Sequence, residues 1–182
     1  MKRRLMALAC TLGVCAALAL PAGAAYADVA PGSWYEAAVN QVTEQGYMEG
    51  VSDTQFAPDA YVTRATVVTV LWRMEGSPLP AATVSFGDVN PSAWYGQAAA
   101  WAKENGIANG DTRGDFKPEQ FVTRQELAAF LTRYDAYRGS ELAEGTLGLY
   151  SDAGEISAWA EESMAHAVGM GQLEGSGGKL SP

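Results

Sequence analysis

A nine-residue stretch occurs twice in this 182-residue chain, first as Phe56-Ala57-Pro58-Asp59-Ala60-Tyr61-Val62-Thr63-Arg64 and then as Phe116-Lys117-Pro118-Glu119-Gln120-Phe121-Val122-Thr123-Arg124. Sliding the sequence by 60 positions aligns residues 28–73 with residues 88–133 without a gap, and 16 of those 46 pairs are identical. Random pairing at ordinary residue usage gives about three. The chain therefore contains an internal repeat, and its fold must be one in which a unit of this size stacks on copies of itself.

Each unit opens with a proline-closed loop and a Trp-Tyr pair, at Pro31, Trp34 and Tyr35 and again at Pro91, Trp94 and Tyr95. Apolar positions then recur at helical spacing, through Ala38 and Val42 in one unit and Ala98, Trp101 and Ala102 in the other. Gly46 and Gly106 follow the last turn, where a left-handed C-cap excludes most side chains. A second glycine, Gly50 or Gly110, opens a polar loop that runs to Phe-x-Pro. Thr63 and Thr123 then stand at the N-cap of a second helix, with Val67, Val70, Leu71 and Met74 on one face and Leu127, Phe130, Leu131 and Tyr134 on its counterpart. Thr123-Arg124-Gln125-Glu126 is a full capping box, whereas Thr66 replaces the glutamate in the first unit.

A third unit begins at Ser151-Asp152. Trp159, Gly171 and Gly175 match Trp94, Gly106 and Gly110 with one inserted residue, and Leu180-Ser181-Pro182 matches Phe116-Lys117-Pro118. The third unit is thus read as incomplete, without its capped helix and Thr-Arg pair. The resulting division is a leader at 1–27, repeats at 28–75 and 86–138, linkers at 76–85 and 139–149, and an incomplete repeat at 150–182.

The leader rests on Lys2, Arg3 and Arg4, an uncharged run to Leu20, and Ala25-Tyr26-Ala27 as a small-x-small cleavage pattern. A retained anchor is the alternative, but about 16 apolar residues fall short of the roughly 20 that span a bilayer. Cleavage after Ala27 removes both cysteines, Cys10 and Cys15, so no disulfide, thiol or zinc site is expected. It also takes the net charge from −9 to −12. That balance argues against nucleic acid and against anionic lipid, and an acidic ligand must be held by a few placed arginines.

Arg64 and Arg124 are the candidates. A cation in the first turn opposes the helix dipole, so each is expected to face an anion or to pair with an acid such as Asp28 or Asp88. The recurring tryptophans read first as core residues and second as platforms for sugar stacking. A calcium loop at residues 111–115 lacks its closing acid, because position twelve is Val122. His166 has no histidine counterpart in the other units and is expected to be a solvated helix residue. Nothing links two carboxylates to a cleft, so no catalytic residues and no cofactor are expected. A purely structural or protein-binding repeat without sugar binding, or the anchoring fragment of a longer surface enzyme, is the alternative.

The order Asp-Val, Trp-Tyr, Gly-x-x-x-Gly, Phe-x-Pro and Val-Thr-Arg resembles the S-layer homology (SLH) domain across essentially the whole chain after the leader. The resemblance implies a mostly α fold, with tandem helix-loop-helix repeats in a pseudo-threefold arrangement around a central helical bundle. It also implies a secreted, non-catalytic module of the cell wall or cell surface. Grooves between repeats would bind secondary cell-wall polysaccharide or another peptidoglycan-linked polymer, in well-known cases through pyruvylated N-acetylmannosamine. Carried onto this sequence, the ligand residues are Thr63, Arg64, Thr123 and Arg124. Gly46, Gly50, Gly106 and Gly110 would admit the sugar to the backbone, and Trp34 and Trp94 would wall the groove. The family's glutamate is Thr66 in the first motif, and the third repeat lacks the motif.

Overall fold

The computed structural model describes residues 26–81 and 86–182. Five α-helices carry it: α1 (Glu36–Glu44), α2 (Arg64–Met74), α3 (Gly96–Glu104), α4 (Arg124–Tyr137) and α5 (Glu161–Gly169), with short 3-10 turns at Leu147–Leu149, Ala153–Glu155 and Ala158–Ala160. Among the described residues there is no strand, only isolated bridges, and no helix is long and apolar enough to cross a membrane. Residues 1–25 of the expected leader lie outside the described residues.

The capping chemistry forms as the sequence dictates. Thr63 Oγ accepts the amide of Thr66, and Thr123 with Glu126 completes the reciprocal box. In the first unit the Thr63 and Thr66 hydroxyls pair at 2.9 Å in place of the carboxylate. Gly46 and Gly106 follow α1 and α3 at φ +70° and +69°, the left-handed conformation that ends a helix cheaply only at glycine.

An aspartate closes each unit on itself. Asp28 takes the amides of Phe56 and Ala57 at 2.9 and 2.7 Å. Asp88 takes those of Phe116 and Lys117, and Asp152 those of Leu180 and Ser181. The acceptor carboxylate holds a strained turn, since Ala57, Lys117 and Ser181 all have φ between +52° and +61°. These amides draw Asp28 and Asp152 below the usual carboxylate range. The aspartates are therefore not the partners of Arg64, as the sequence had suggested. An aromatic two positions earlier completes the clasp: Tyr26 tilts onto Phe56, and Phe86 stacks on Phe116 at 5.0 Å. Tyr26 Oη also accepts the Gly50 amide, and the Ala27 amide reaches the Thr54 carbonyl. The first unit thus uses two residues that a cut after Ala27 would remove.

Units are joined by their second helices. α2 packs against α3 and α4, and α4 packs against α5, so the second helix of one unit receives the first helix of the next. One core gathers Ala65, Val68 and Leu71 of α2 around Ala98, Trp101 and Ala102 of α3 with Phe86 and Phe116, and another joins Ala128 to Met164, Ala167 and Leu180. Alanines at the crossing let the helix backbones approach, and each large side chain buried there contributes roughly 2 kcal/mol. Met74 is exposed rather than part of the buried α2 face, because that face turns toward Ala65 and Val68. Among the described residues α1 packs against no other helix, and its equivalents of the buried Ala98 and Trp101, Ala38 and Gln41, are exposed.

His166 sits where α3 has Trp101, and it is 1% exposed, not solvated. Its Nδ1 accepts the Ala143 amide at 2.9 Å, which leaves Nε2 to donate to Asp135 at 2.8 Å. Gln172 donates to the same carboxylate oxygen at 2.7 Å. The histidine pins the connector to α5 and fills a helix-packing position with a polar network that is fully bonded.

Candidate functional site

Arg64 projects from the first turn of α2 into the second unit. Its Nε donates to the Phe116 carbonyl at 2.7 Å, its Nη1 lies 3.4 Å from Glu126 Oε1, and the guanidinium covers the rings of Phe116 and Phe130 at 5.2 and 5.1 Å. The α2 N-terminus is also consumed by the second unit: the amides of Arg64 and Ala65 donate to the carbonyls of Gln120 and Pro118. That terminus is not the open anion site that the sequence suggested. Glu126 serves twice, one oxygen closing the capping box on Thr123 and the other facing Arg64. Thr63 and Thr123 spend their hydroxyls on caps.

A groove of about 730 Å³ opens beside this junction and draws on all three units. The first unit supplies Arg64, the second supplies the loop from Asn109 to Lys117 and one face of α4, and the third supplies Trp159. Gly110, with φ +70°, belongs to this groove, whereas Gly106 remains a helix terminator outside it. In the loop, Asp111 is engaged by Lys117 Nζ at 2.9 Å and by the amides of Arg113 and Asp115. Those contacts, the lysine first, hold its carboxyl well below the usual range. The loop is a self-neutralised turn rather than a cation cage.

The groove is rich in cations that burial does not favour. Burial pulls Arg64 below its ordinary pKa against the opposing effect of Glu126, and the nearby positive charge of Arg133 pulls it further. Arg133, on the groove side of α4, is lowered by burial alone. An anion in the groove would relieve both.

A second groove, of about 620 Å³, repeats the pattern one unit earlier. It is lined by the loop containing Glu49 and Gly50, by α2 with Arg73, and by Trp94. Gly50 cannot carry a side chain, which would collide with the Gln55 carbonyl and the Tyr26 ring. Gly46 lies outside this groove, as Gly106 lies outside the other. Arg124, the counterpart of Arg64, reaches the Glu174 carbonyl of the third unit at 2.6 Å, and its Nε is buried without a partner.

The three tryptophans are not core residues. Trp34, Trp94 and Trp159 are 92, 61 and 57% exposed, and the first two stand edge-on against Tyr35 and Tyr95. Trp94 and Trp159 each face the groove of the preceding unit, while Trp34 lines neither groove. The structure therefore regroups the residues that the sequence assigned by unit, joining Arg64 to Gly110 and Trp159, and Trp94 to Gly50. Sequence reasoning passed over Arg133, although Arg73 and Arg133 are among the sixteen identical pairs.

Helix-loop-helix units that share their cores and open polar grooves with exposed aromatics define a tandem-repeat helical module. Residues 25–68 and 85–128 each match the S-layer homology domain, and the two complete repeats of the chain belong to that family. The chain is 30% identical over 152 residues to an endoglucanase of a Bacillus strain, an alignment covering 83% of the chain and 16% of the relative. It is 33% identical over 140 residues to the surface-layer 125 kDa protein of Lysinibacillus sphaericus, covering 76 and 11%. It is 30% identical over 146 residues to an amylopullulanase of Thermoanaerobacterium thermosulfurigenes, covering 79 and 8%. The chain thus spans less than a fifth of the length of these relatives.

Proposed function

We propose that this chain is a non-catalytic anchoring module that acts at the cell surface and binds secondary cell-wall polysaccharide without a covalent link. The observation that carries this reading is the three-unit groove, where an exposed tryptophan faces a partly buried arginine pair across a loop that glycine holds low. An aromatic face suits a sugar ring, and arginine suits an acidic substituent such as a ketal-linked pyruvate. The similarity to a surface-layer protein and to polysaccharide-degrading enzymes supports a module shared by proteins of different activity. Residues 150–182 count as an incomplete third repeat, because Asp152 closes it as Asp28 and Asp88 close the others.

A sedimentation assay with purified cell walls, before and after extraction of their non-peptidoglycan polymers, tests the reading. Binding that disappears on extraction is the expected result. Binding that survives would assign the module to peptidoglycan itself, and no binding to either would leave the protein-interaction reading.

A further inference from the structure

The two grooves differ at one pair of positions. In the earlier groove, Arg73 Nη2 lies 3.4 Å from Glu49 Oε1, and Arg73 Nη1 lies 3.4 Å from the Tyr47 carbonyl. The counterpart of Arg73 is Arg133, and the counterpart of Glu49 is Asn109. The acid that neutralises the first arginine is thus an amide in the three-unit groove, where Arg133 and Asn109 both line the wall. Arg133 has no ion pair among the described residues, and the other wall charges are already committed. Arg64 is tied to Phe116 and Glu126, Lys117 to Asp111, and Asp115 faces Arg113.

We propose that Arg133 is the residue that holds the acidic group of the ligand in the three-unit groove, that Arg64 is chiefly a tie between repeats, and that the Glu49-Arg73 groove is self-neutralised and takes neutral sugar at most. The proposal rests on the anchoring reading and deepens it by assigning the anion to one groove and one side chain. An unpaired guanidinium in a partly dry wall gains a forked, charge-assisted contact from a carboxylate and breaks no internal pair to make it. Arg73 must give up Glu49 first. Trp159 lies in the same groove to stack on the ring that carries the acid.

Calorimetric titration of the full chain with the methyl glycoside of 4,6-pyruvylated N-acetylmannosamine, and with the unpyruvylated glycoside as control, tests the assignment. Arg133→Gln should weaken binding of the acidic sugar by about tenfold or more, the scale of one charge-assisted contact, and should leave the circular dichroism spectrum unchanged. Asn109→Glu should weaken it in the same direction by installing the missing acid, and Glu49→Asn should create a second, weaker site. Wild-type affinity in Arg133→Gln and Asn109→Glu would overturn the proposal. Wall binding by the wild type with no preference for the acidic sugar overturns it too, while the anchoring reading survives. Absence of wall binding by the wild type removes both.

Discussion

Arg64 ties the first unit to the second through a hydrogen bond, an ion pair and two ring contacts, and its loss should register in stability. Arg64→Ala removes a bond to a backbone carbonyl, an ion pair and two ring contacts. An expected cost of about 2 kcal/mol follows from such charge-assisted contacts, read as a shift in the urea midpoint. Arg133→Gln should leave that midpoint nearly unmoved, since no internal partner is lost. The aspartate clasps add an acid dependence. The folded pKa values of Asp28 and Asp152 lie below their unfolded values. Their contribution is therefore complete above the unfolded pKa, near 4 for an ordinary aspartate, and declines as pH falls through the folded value. Asp152→Asn should lower Tm at pH 7 and flatten the loss of Tm as pH falls below about 4, measured by calorimetry. From residue types alone an aspartate 28 positions before a turn looks like surface charge. Its role emerges only when the turn is seen to need two amides satisfied at once.

At the scale of elements, the helices and caps were legible because their signals are local: a glycine after the last turn, a threonine before the first, and apolar spacing between. What was not legible is which unit a side chain serves. Aligning repeats groups residues of the same unit, so Trp94 falls beside Arg124 on paper, yet helices packing onto the following unit send Arg64 forward and Trp159 back. The tryptophans misled for a related reason, since a large apolar residue at a recurring position usually marks a core, and here each faces a groove or open solvent. α1 also differs from its repeats. With no helix among the described residues packed on it, α1 should lose protection well before α3 in amide hydrogen exchange. Equal protection of α1 and α3 by mass spectrometry would sink that expectation.

Across the whole molecule, the two ends of the first unit bear on processing. Tyr26 and Ala27 hold Gly50, Phe56 and Thr54, as Phe86 holds Phe116 in the next unit. A leader cleaved after Ala25, with Gly23 and Ala25 at the small positions, keeps that aromatic in place. We expect Tyr26 at the mature N-terminus, readable by intact mass, and a Tyr26→Ala chain with a lowered Tm. The three-part groove carries a further consequence for valency. Because each complete groove borrows an arginine from one unit, a loop from the next and a tryptophan from the one after, an open array of such units holds two fewer full grooves than units. An isolated unit has none, however well it folds. Duplicating an internal unit would add one whole groove at a stroke, so under the proposed anchoring role avidity for a repeating polymer would rise by gene duplication alone, without a single new contact being selected.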